Sequence, residues 1–195
     1  MSAALIVIDV QQSFRFRPFW SEQDLPAFRE HLLALIAGCR QLDVPVVHIL
    51  HEGKTGPFAA DSGLVRLMDW VPADADATFT KHVHNALTES GLRPWLETRG
   101  IQRLVLAGIR TEQCCETTAR VAADLGYQVD FVSEAMLTFA MTHPHSGRHY
   151  SAADLRERTE LVLAERFVTL HSVESSLAAL AATLPPPQEA GHAAG

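Results

Sequence analysis

The chain has 195 residues, with 16 Lys+Arg against 23 Asp+Glu, a formal net charge of −7, 47% hydrophobic residues and three cysteines. This length suits one domain with a sizeable core, and the ordinary apolar fraction excludes disorder over most of it. An acidic balance without a basic block argues against nucleic-acid binding, no apolar run reaches the roughly 18 residues of a membrane span, and an odd cysteine count is no disulfide framework.

The start, MSAALIVIDV, has neither a cationic stretch nor a small-residue cleavage site, so no signal peptide and a cytoplasmic setting are expected. Residues 5–8 are a short apolar run ending at Asp9, the pattern of a strand buried on both faces. Residues 25–42 carry Phe28, Leu32, Leu35 and Ile36 at helical spacing, and 44–50 form a second strand whose early Pro45 suits a strand start. A short helix is expected over 61–70 and a third strand over 77–80, leading to Lys81. A helix over 91–99 ends at Gly100, and 104–109 form a fourth buried strand. Further on, helices are expected over 112–125, 151–164 and 173–183, with strands over 127–132 and 166–170. Residues 1–184 thus read as one domain and 185–195 as a flexible Pro-, Gly- and Ala-rich tail. The alternation predicts an α/β protein: three α/β/α layers around a six-stranded, mainly parallel sheet.

Such sheets place their sites beyond the carboxyl ends of the strands. Asp9 follows the first strand, Lys81 ends the third, and Cys114 falls in the first turn of the helix after the fourth. Taken singly, each has a plainer role: a salt-bridge partner, a solvated charge and a small buried hydrophobe. Together their chemistry is coherent. A thiolate is a strong nucleophile, favoured by a helix N-terminus and a nearby ammonium, and a carboxylate can take the thiol proton and return it to a leaving group. With Thr111 as N-cap, Cys114 is the third helical residue, where free backbone N–H groups can hold an oxyanion.

The segments LIVIDVQQSF (5–14), TK (80–81) and GIRTEQCCETTA (108–119) resemble the three motif blocks of the isochorismatase-like cysteine hydrolases, and the resemblance covers roughly residues 3–175. It implies an Asp–Lys–Cys triad: Asp9 as general acid/base, Lys81 as electrostatic partner and Cys114 as nucleophile. It also implies a cis peptide before Arg110, with the amides of Arg110 and Cys114 as the oxyanion hole. A retained nucleophile points to an acyl-enzyme, hence to a C–N bond of a small amide, carbamoyl or ureido substrate. The alternatives are isochorismatase-type enol-ether hydrolysis and a non-catalytic binding or assembly module. No cofactor is implied, and a homo-oligomer, dimer or tetramer, is.

Metal-binding members carry Asp-x-His after the second strand, whereas residues 48–54 here read HILHEGK. His48 and His51, three apart, do not share a strand face, so no metal is expected. Cys115 and Cys39 read as packing residues. For substrate binding the expected residues are Phe14, Arg17 and Trp20 after Asp9, His84 and Asn85 after Lys81, and Phe139 after the fifth strand. Arg110, with Arg15 and Arg17, is a candidate cation for an anionic substrate. The His-rich stretch 143–149 is expected to be a loop over the site.

Overall fold

The computed structural model describes residues 2–183. The tail expected at 185–195 lies outside the described residues.

Six parallel strands form one sheet in the order β3-β2-β1-β4-β5-β8. These are β1 (Ala3–Ile8), β2 (Val46–His51), β3 (Ala77–Lys81), β4 (Arg103–Ile109), β5 (Gln128–Leu137) and β8 (Thr169–Leu170). The chain winds outward from β1 through β2 to the edge strand β3, then crosses back to β4 and winds the other way. β1 and β4 are therefore the topological switch point, where sheets of this kind open a crevice.

The apolar run of β1 is continuous because both faces are covered. Leu5 and Val7 pack with Leu32, Leu35 and Ile36 of α1 (Leu25–Gln41) and with Leu180 of α5 (Val173–Ala181). Ile6 and Ile8 pack with Leu92 and Leu96 of α2 (Leu92–Thr98), Ala119 and Ala122 of α3 (Glu116–Asp124) and Leu163 of α4 (Ala152–Leu163). Ser151 and Ser172 start α4 and α5 as reciprocal capping boxes with Asp154 and Ser175. Arg103 on β4 and Asp130 on β5 form a buried ion pair (2.6 Å), and Arg103 also donates to the Ala179 carbonyl, tying α5 to the sheet.

Five segments differ from expectation, one being the strand expected over 166–170, of which only Thr169–Leu170 pairs in the sheet. Residues 61–70 hold only a single 3₁₀ turn, Ala60–Ser62, closed by Gly63 in the left-handed region. The rest runs extended beside the loop after Asp9, with Gln12 N–H donating to the Arg66 carbonyl and Met68 N–H to that of Val10. The helix expected from 112 begins instead with a widened π-type turn, Thr111–Cys115, capped by Arg110 rather than Thr111. β5 runs five residues beyond 132, with a register shift against β4 between Leu106 and Gly108. The His-rich stretch is the exposed tip of a small antiparallel hairpin, β6 (Met141–Thr142) with β7 (His149–Tyr150). Among the described residues no helix is long and apolar enough to cross a membrane.

Candidate active site

The three strand-end residues converge. Asp9, fully buried, lies one residue past β1 with a φ of 54°, a left-handed conformation that Asp tolerates better than most residues. Its amide is held by the Ile49 carbonyl (2.8 Å). Lys81 is the last residue of β3, also fully buried. Its ammonium has three neighbours: Asp9 Oδ2 at 2.8 Å, His51 Nδ1 at 3.0 Å and Cys114 Sγ at 3.3 Å.

Cys114 sits in the widened turn. The amides of Gln113 and Cys115 both bond the Arg110 carbonyl (3.1 and 3.2 Å), the second an i→i−5 bond of the π type, which often marks functional sites. The Ile109–Arg110 peptide is cis. Cys115 and Cys39 are fully buried, packed in the two cores.

Burial sets the protonation states. It pushes the Cys114 thiol up, and the Asp9 carboxylate adds to this, so that the opposing pull of Lys81 is overcome. Desolvation outweighs the ammonium and favours the thiol, so the sulfur needs a base to take its proton, the role the family resemblance implies for Asp9. Burial also raises the Asp9 carboxyl against the pull of Lys81, making it a better base. Burial pulls the Lys81 ammonium down, but Asp9 and Cys114 beside it together hold it above its ordinary value.

His51 is the residue that the sequence misses. Burial, and next the Lys81 charge, push its pKa down to about 4, so the ring is neutral and its Nδ1 accepts from the ammonium. The proton must then lie on Nε2. Gln11 clamps the backbone of His51 on both sides, accepting from its N–H (2.7 Å) and donating to its carbonyl (2.9 Å). His48, by contrast, is buried in the sheet and bonded to the Pro72 carbonyl. Asp9, His51 and Cys114 could each turn one ligand atom to a common cation, these atoms lying within 4.8 Å of one another. The Lys81 ammonium bonds all three and so already serves as their shared cation.

Above the triad is a cavity of about 420 Å³, lined by Asp9, Phe14, Arg17, Phe19, His51, Phe58, His84, Arg110, Gln113 and Cys114. Of the expected substrate contacts, Phe14, Arg17 and His84 line it. Three others do not. Trp20 packs on Phe139 behind the wall (5.3 Å), Phe139 lies under Arg110 instead of facing the cavity, and the buried Asn85 turns to Thr88 and the Leu87 amide. Arg15 pairs with Glu22 (3.2 Å). The hairpin carrying the His-rich tip does not line the cavity either.

A strand-order switch point thus brings a buried Asp, Lys and Cys together beneath a cavity, and comparison with known proteins gives the family. The family model for the isochorismatase domain matches residues 3–160, and the chain belongs to the isochorismatase family of hydrolases. The uncharacterized isochorismatase family protein YrdC of Bacillus subtilis is 26% identical over 86% of this chain and 90% of its own. Nicotinamidase 3 of Arabidopsis thaliana is 29% identical over 70% and 74%. The structure of an isochorismatase-family protein from Chromobacterium violaceum superposes with a TM-score of 0.83 at 26% identity, covering 92% of this chain and 93% of the other.

Proposed function

We propose that this protein hydrolyses a C–N bond of a small amide, carbamoyl or ureido substrate through a thioester on Cys114. The observation that carries the proposal is the single buried ammonium of Lys81, bonded at once to the Asp9 carboxylate and the Cys114 sulfur on the cavity floor. Moving the thiol proton to Asp9 only changes which anion the ammonium accompanies, so no net charge has to be created in a low-dielectric site.

The thiolate attacks the substrate carbonyl carbon, and the carbonyl electron pair moves to oxygen, held by the amides of Arg110 and Cys114. The C–N bond then breaks as Asp9 returns the proton to the leaving nitrogen. Water, deprotonated by Asp9, attacks the thioester, and the sulfur leaves to recover its proton. Phe14, Phe19 and Phe58 would hold the apolar body of the substrate, with Arg17, His84 and Gln113 at its polar positions. Kinship to a nicotinamidase favours an amide over an enol ether or a silent binding module. Cytoplasmic work suits the three free thiols, and a homo-oligomer is part of the same proposal.

The test is ammonia release from a panel of small amides, ureas and carbamoyl acids, with mass spectrometry of the enzyme quenched during turnover. The proposal expects an acyl adduct on the peptide holding Cys114, loss of activity in Cys114→Ala and much activity kept in Cys115→Ala. Full hydrolysis by Cys114→Ala overturns it, as does turnover of an enol ether only, with no adduct.

A further inference from the structure

Arg110 is gripped from both ends. Its carbonyl accepts from the amides of Gln113 and Cys115, which ties its main chain to the turn that carries Cys114. Its guanidinium is paired with the Glu112 carboxylate 2.8 Å away, the two side chains being only 6% and 9% exposed. The same guanidinium lies over the rings of Phe19 (4.7 Å) and Phe139 (5.7 Å). Its charge is thus matched inside the wall rather than offered to a ligand.

Glu112 is fixed in turn. Its other carboxylate oxygen accepts from the hydroxyl of Thr138, a buried residue just past the end of β5. Four segments therefore meet on one guanidinium: the loop after β1 through Phe19, the end of β4 through Arg110 itself, the nucleophile's turn through Glu112, and the end of β5 through Thr138 and Phe139. A buried ion pair adds little stability over well-packed apolar side chains of the same size. What it does add is direction, because charge-assisted contacts tolerate less displacement than packing does.

We infer that Glu112 and Thr138 are positioning residues: acting through the Arg110 side chain, they hold the Arg110 amide where the oxyanion forms beside the Cys114 sulfur. This rests on the amide-hydrolase proposal and deepens it. With its carbonyl tied to the turn and its guanidinium tied to Glu112, Arg110 has little freedom to rotate, so its amide keeps one direction. Such a donor has to stay within about 0.5 Å of its productive place. The full charge on oxygen exists only in the tetrahedral species, so a loosened amide slows the chemical step and leaves ground-state binding as it was.

The test follows acetylation of Cys114 by p-nitrophenyl acetate in the full chain. The sulfur takes the acetyl group, p-nitrophenolate departs, and its colour gives the rate. Thr138→Val keeps the shape and removes the hydroxyl. It is expected to lower the saturating rate about 10-fold, less than the loss of a whole oxyanion donor, with the half-saturating ester concentration unchanged. Thr138→Ser, which restores the hydroxyl, should keep most of the rate. Glu112→Gln, with its fold checked by circular dichroism, should lose more than Thr138→Val. Alkylation of Cys114 by iodoacetamide displaces iodide at a saturated carbon and forms no oxyanion, so its rate should hold in Thr138→Val. An equal loss in Thr138→Ser, a change confined to the half-saturating concentration, or a matching fall in alkylation overturns the inference, the last because the sulfur itself would have moved. A wild type acetylated at Cys114, with Thr138→Val acetylated as fast, keeps the hydrolase proposal and overturns this one. A wild type whose Cys114 takes no acetyl group overturns both.

Discussion

Gly108 lies so close to Ile8 that a β-carbon on it would stand 2.0 Å from the Ile8 carbonyl oxygen and 2.7 Å from its amide nitrogen. The two residues are register partners in β4 and β1, and Gly108 has a φ of +133°. Both facts demand glycine where the two strands must close to bring Asp9 and Cys114 together. Gly108→Ala is expected to cost about 3 kcal/mol or more, since backbone rather than a movable side chain is in the way. Urea unfolding measures it, and a midpoint equal to the wild type's would show that β4 is not pinned there.

Lys81 and Asp9 should be inseparable in energy. Lys81→Met leaves a buried carboxylate alone, which costs about 3–5 kcal/mol. Adding Asp9→Asn should restore part of that stability and none of the activity. A double-mutant cycle in denaturant reads the coupling, and additive single changes would contradict the 2.8 Å contact.

His51 has a pKa near 4 in the folded chain against 6.5 for a free histidine. Between those values the unfolded chain binds the extra proton more readily, so stability falls as pH drops from about 6.5 to about 4. His51→Gln should flatten that slope. His51→Ala, which removes an acceptor from the ammonium, should lower kcat/KM by roughly 10- to 100-fold. Unchanged pH dependence of unfolding in His51→Gln would assign the slope elsewhere.

Alkylation should discriminate among the thiols. In the folded protein iodoacetamide is expected to modify Cys114 alone, since Cys39 and Cys115 are fully buried. With its thiol raised by burial, the Cys114 rate should keep climbing beyond pH 9. Peptide mass mapping follows the rate, and a plateau below pH 8 would mean that Lys81 outweighs burial after all.

Arg103→Met should destabilise by about 3–5 kcal/mol, because Asp130 stays buried without its partner. Activity per folded molecule should not change, as the pair lies at the opposite end of the strands from Cys114. Reduced turnover at full folding would instead link the two ends of the sheet.

The sheet, and the meeting of Asp9, Lys81 and Cys114 at its carboxyl edge, were legible in the sequence because they rest on local patterns: apolar runs such as residues 5–8 ending in a polar residue, and helices at regular spacing. The rest depended on contacts across the chain. The spacing of His51 from His48 fits no shared strand face and so points to no metal pair; its partner is Lys81, thirty residues on. Residues 61–70 have helical composition but are held extended by backbone bonds to Val10 and Gln12. Trp20 and Phe139 are next to the site in the chain but satisfy each other. The raised thiol of Cys114 follows from burial, which no spacing reveals.

An ammonium has only three hydrogens, and those of Lys81 already have three takers: a carboxylate, an imidazole and a sulfur. None is left over for an incoming molecule. Proton handling and ligand choice therefore fall to different atoms, the first to a knot at the floor, the second to the walls. Arg17, exposed on the wall and bonded to none of these groups, can be exchanged without loosening that knot, so one set of reactive groups can serve enzymes with quite different tastes.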